Sequence, residues 1–164
     1  MNKNTLQIFQ IDAFTSEIFK GNPACVMPLD NWLPDELLLK IAKENNVSET
    51  AFFIKKDDHF YLRWFTPEIE MDLCGHATLA TAYCLKKHMN FNKDLVKFDS
   101  MSGELIVKFH GDYMQMDFPH PEVCKYFNFS KNFNPSLEKS GDFALKVACS
   151  FKVSIVTRFD KKSR

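Results

Sequence analysis

Cys74, Gly75 and His76 set a thiol, a residue without a side chain and an imidazole at the head of a run, Ala77 to Leu85, in which almost every residue is apolar or small. A helix apolar on all sides is a buried one. At about a dozen residues it falls well short of the ~20 needed to cross a bilayer, so it reads as a central core helix. Lys86, Lys87 and His88 close it, where cations suit the negative pole of the helix dipole. At the opposite end, Gly75 lets the backbone approach closely while the first free N–H groups point outward. That end can hold a carboxylate or a developing oxyanion, with His76 beside it as donor or proton carrier. A turn with a capping imidazole is an equally simple account of Gly75 and His76. Cys74 and His76, one residue apart and without a second ligand pair, do not make a metal signature, so no metal is expected.

Glu49 is the second candidate. Pro34 opens a helix, Asp35 and Glu36 fill its first turn, and Leu37, Leu38, Ile41 and Ala42 form its buried stripe. Asn45 and Asn46 end it. The chain then enters Val47 to Ile54, where Glu49 is the one carboxylate at the head of an otherwise apolar strand. Desolvation beside Ala51 and Phe52 would raise its pKa, as a general acid or base working near neutrality requires. A solvated or capping glutamate is the plainer alternative.

Five blocks of sequence carry a resemblance. Ile11-Asp12-Ala13-Phe14-Thr15, Gly21-Asn22-Pro23-Ala24, Ser48-Glu49-Thr50-Ala51, Arg63-Trp64-Phe65-Thr66-Pro67 and Asp72-Leu73-Cys74-Gly75-His76-Ala77-Thr78 occur in the order and spacing of the phenazine-biosynthesis PhzF-like proteins. The chain resembles that family from about Ile8 to Pro119. The resemblance implies an α/β fold (an α+β roll) of the diaminopimelate-epimerase-like type, in which each of two halves wraps a curved, mostly antiparallel sheet around a buried central helix. It implies cofactor-independent isomerase chemistry between the halves on a small carboxylate-bearing substrate, with Glu49 as the acid/base and His76 as its catalytic partner. Gly75, Ala77 and Asn22 are then implied as substrate-binding residues, Asn22 through the Gly-Asn-Pro turn. Related racemases of the fold use paired cysteines, and Cys74 resembles one of those thiols; a small buried residue is the favoured reading of Cys74.

The intervening stretches read as a sheet around a helix, with strands at Gln7 to Phe14, Ala24 to Met27, Phe60 to Phe65, Leu105 to Phe109 and Tyr113 to Phe118, the last two joined across Gly111-Asp112. Phe60, Leu62 and Trp64 share one face of their strand, Tyr61, Arg63 and Phe65 the other. An arginine on a strand more often covers the sheet than binds substrate, so Arg63 is left out of the site.

With 164 residues, 45% hydrophobic content and 21 basic against 21 acidic residues, the chain can bury a core and carries no charge bias toward nucleic acid or an anionic membrane. Met1 to Thr5 lead into a strand pattern without an apolar signal segment, and five irregularly spaced cysteines fit reduced thiols, so a cytoplasmic location is expected. Residues 1–119 are expected to form the N-terminal domain, and residues 120–164 a linker and the truncated start of a second half. His120 to Asp142 is polar and turn-rich. Phe143 to Phe159 alternates like one long strand or two short ones, with an open apolar edge that could pair with another chain, dock on the first half or drive aggregation. Two functional classes follow: an isomerase half, or an inactive half-domain that binds small anions or a partner. A homodimer supplying the second wall in trans bridges them.

Overall fold

Side chains on a strand alternate between its faces, and here both faces are used. In β2 (Asn22–Leu29) Ala24 and Val26 turn inward and Met27 and Leu29 outward; in β3 (Glu49–Lys56) Ala51 and Phe53 turn inward and Phe52 and Ile54 outward. In β4 (His59–Phe65) Phe60, Leu62 and Trp64 join the inner core while Phe65 joins the outer one, as the alternation predicts. The computed structural model describes residues 5–15, 20–111, 113–117, 151–154 and 156–159.

These strands belong to one curled, mostly antiparallel sheet. With β1 (Phe9–Ala13), β5 (Glu70–Met71), β6 (Leu95–Ser100), β7 (Gly103–His110), β8 (Tyr113–Asp117), β9 (Phe151–Ser154) and β10 (Val156–Phe159), its order is β10-β1-β2-β3-β4-β6-β7-β8-β9, with β5 beside β4. The pairs β2–β3 and β4–β6 are parallel and the remaining pairs antiparallel.

Helix α2 (Gly75–His88) occupies the hollow of the sheet against β1, β2, β3 and β8. Its two threonines do not interrupt the core. Thr78 and Thr81 are fully buried because each hydroxyl donates to the carbonyl four residues earlier, Cys74 and Ala77. Helix α1 (Asp35–Asn45) covers the outside of β3 and β4 through Leu38 and Ala42. It ends at Asn46, whose left-handed backbone (φ 49°) directs its N–H to the Ala42 carbonyl. Leu37, expected in the buried stripe, is exposed, because it lies a helical step of ~100° from Leu38 and faces away from the sheet.

The first turn explains one glycine. Gly21 sits at φ 89°, and a side chain there would run into the Ala13 carbonyl and the Thr15 side chain, so only glycine lets β2 return alongside β1. Strand β6 was not anticipated, although Val96 and Phe98 are buried between Lys97 and Asp99 in a strand pattern.

Residues 151–154 and 156–159 of the apolar end segment join the sheet. Residues 151–154 pair with β8 and residues 156–159 with β1, so one stretch of chain bridges both edges of the curl. The polar stretch His120–Asp142 and residues 143–150 lie outside the described residues. Cys25, Cys74 and Cys84 are buried, while Cys124 and Cys149 also lie outside the described residues. Among the described residues no helix is long and apolar enough to cross a membrane.

Candidate active site

Strand parity aims Glu49 inward. It shares a face with Ala51 and Phe53, and the parallel register sets it beside Ala24 of β2, at the end of the sheet where α2 begins. The carboxylate therefore meets the helix N-terminus: Glu49 Oε2 lies 3.1 Å from His76 Nε2, with the side chains 17% and 8% exposed. Neither of these buried atoms completes an in-line hydrogen bond. Buried polar atoms are nearly always paired, so two such atoms side by side mark a place prepared for a ligand's polar group.

On the other edge of the ring, Cys74 Sγ lies 3.4 Å from His76 Nδ1. Cys74 caps α2 with extended backbone (φ −143°) and without a side-chain bond to the helix. The backbone N–H groups of Ala77 and His76 face its sulfur. Those groups and the helix pole favour a thiolate, but burial outweighs them and, with the nearby Glu49 charge, pushes the thiol up to about 12. Burial likewise raises the Glu49 carboxyl above its ordinary range. His76 is lowered by burial, partly countered by the Pro23 carbonyl, which favours a protonated ring nitrogen.

The other expected residues gather around this centre to different degrees. Gly75 is the first residue of α2, and Ala77 is wholly buried, its contribution confined to the backbone. Asn22 begins β2 at the same end of the sheet, where its Oδ1 accepts a hydrogen bond from Ser48 Oγ at 2.8 Å, tying the turn to the residue before Glu49. Arg63 is outside the site: its Nε and Nη2 grip both oxygens of Glu70 at 2.6 and 2.7 Å, Nη2 also reaches Asp35, and the guanidinium lies over Trp32 and Phe65.

Phe14 was not singled out as a site residue. It holds a left-handed backbone (φ 63°), unusual for a bulky residue, and its half-exposed ring stands 6.3 Å from that of His76. Nothing in its sequence neighbourhood signals that backbone.

Glu49, Cys74 and His76 offer one donor atom each within 4.8 Å of one another. A tetrahedral zinc would hold such donors about 3.5 Å apart, and here the thiol and the carboxylate address opposite ring nitrogens.

The pattern of the phenazine biosynthesis-like protein family, PhzC-PhzF, matches residues 11–144. The chain belongs to that family. An uncharacterised isomerase of Pseudomonas aeruginosa is 54% identical over 121 residues, which are 73% of this chain and 47% of the relative. The crystal structure of a PhzF-family phenazine biosynthesis protein from Enterococcus faecalis superposes with a TM-score of 0.69 at 48% identity, covering 71% of this chain and 45% of that one. A predicted epimerase from Pseudomonas aeruginosa shares the fold, with a TM-score of 0.60 at 23% identity over 77% of this chain and 50% of that one. The chain thus spans about half the length of the family members it matches, and the likeness lies in the half that contains Glu49 and His76.

Proposed function

We propose that this chain is the N-terminal half, residues 1–119, of a cofactor-independent isomerase, with residues 120–164 as linker and start of the second half. Glu49 moves a proton on a small carboxylate-bearing metabolite, and the α2 N-terminus at Gly75 and His76 holds the substrate's anionic group, with Asn22 at the rim. The observation that carries this reading is the buried, unfilled pair Glu49 Oε2 and His76 Nε2, 3.1 Å apart. A carboxyl raised by burial is suited to both taking and returning a proton near neutrality. The isomerase name borne by the Pseudomonas relative agrees with it. The protein is expected to act in the cytoplasm, with a second wall supplied by a C-terminal half or by a second copy of the chain.

The test is solvent-deuterium uptake into a panel of small unsaturated or amino-bearing carboxylates, read by mass spectrometry. Glu49→Gln keeps the shape and removes the base, so uptake should fall by ~10²-fold or more while binding persists. Unchanged uptake would remove Glu49 as the base. Binding of carboxylates by the parent chain with no uptake at all would favour the second reading, a half-domain that binds small anions without turnover.

A further inference from the structure

The two contacts of the His76 ring differ in kind. On the Nε2 side stands a carboxylate oxygen, 3.1 Å away; on the Nδ1 side stands a sulfur at 3.4 Å, within reach of a thiol hydrogen bond. A neutral imidazole carries one proton, and the hydrogen bond made by one nitrogen decides which nitrogen holds it. We propose that the Cys74 thiol donates to His76 Nδ1 and thereby fixes the proton on Nε2, making Cys74 a positioning residue that presents His76 as a hydrogen-bond donor on the Glu49 side.

The surroundings support this assignment. Burial keeps the thiol protonated, so it stays a donor over the range in which proteins are folded. The backbone N–H groups of His76 and Ala77 face the same sulfur only as donors, so the S–H is the thiol's own group that can address the ring. On the far side the partner in reach, the Glu49 carboxylate, is an acceptor, and it cannot supply a proton to a bare nitrogen when ionised. The consequence for turnover rests on the acid/base role proposed for Glu49: the Nε2–H either steadies the Glu49 carboxylate or turns to the substrate's anion. The tautomer itself does not depend on that role.

Long-range proton–nitrogen NMR correlation on the ¹⁵N-histidine-labelled chain, without substrate, tests it, with His76 assigned by loss of its signals in His76→Asn. The parent chain should show Nε2 protonated and Nδ1 bare. Cys74→Ser, which keeps a donor, should retain that pattern, and Cys74→Ala should shift the tautomer ratio toward Nδ1–H by roughly 2- to 10-fold, the range of one net hydrogen bond. A parent ring protonated on Nδ1, or an unchanged ratio in Cys74→Ala, would overturn the proposal. The parent spectrum alone decides the first point if a variant fails to fold. A bare Nδ1 together with Glu49→Gln still active in isotope uptake would refute the base and leave the tautomer assignment standing.

Discussion

Glu49 and His76 stand 3.1 Å apart, and burial disfavours the charged form of each. This gives the pair opposite effects on stability. A carboxyl whose folded pKa lies above its ordinary 4.5 weakens the fold as pH rises from there through the raised value. An imidazole lowered from 6.5 weakens it as pH falls below that value, because the unfolded chain then binds more protons. Glu49→Gln should therefore melt higher than the parent chain at pH 7, with the difference closing below about pH 4. His76→Asn should lose the decline that the parent shows on acidification below about pH 6.5. Thermal melts across pH measure both.

Arg63 is expected to matter for stability and not for chemistry. Its fork on Glu70, with the further bond to Asp35, ties β4 to β5 and to the start of α1. Arg63→Ala should cost about 1.5–3 kcal/mol in urea unfolding, the usual range for hydrogen bonds to charged groups. Arg63→Lys should recover only part of this, since an ammonium cannot span both carboxylate oxygens. Unchanged stability in Arg63→Ala would mean that the cluster is only a solvated surface contact.

Gly21→Ala should destabilise the chain by more than ~1 kcal/mol, since alanine there suffers both the left-handed backbone and the collision with Ala13. The same denaturation experiment reads it. A neutral outcome would show that the turn between β1 and β2 can relax.

For turnover, Cys74→Ala should cause only a modest loss, less than ~10-fold, because the thiol positions the ring without carrying the reacting proton. A loss as deep as that of Glu49→Gln would instead give the thiol a direct part in proton transfer.

The sheet's inner and outer faces were legible because alternation in β4 separates Phe60, Leu62 and Trp64 from Phe65, and burial follows that alternation. Glu49 was visible as a lone acid heading an apolar strand, and Cys74-Gly75-His76 as a polar group heading an apolar helix. What no local pattern could state is that these two heads meet, since this depends on the parallel register of β2 with β3 and on the packing of α2 across them. The Cys74 thiol shows the limit in another way. A helix N-terminus predicts a lowered pKa, and only the enclosing fold reveals that desolvation prevails. Phe14 and the tenancy of residues 151–159 at both sheet edges are likewise long-range outcomes.

That tenancy has a bearing on biosynthesis. Strand β1 leaves the ribosome well before its outer neighbour, residues 156–159. Until those residues emerge, the backbone amides and carbonyls of Phe9 to Ala13 on that side have no partner from this sheet, and a contact of such long sequence separation is slow to form. The nascent polypeptide therefore passes through an interval in which β1 and β8 are both open to strand pairing with other chains. A chaperone that shields extended edges would act in that interval.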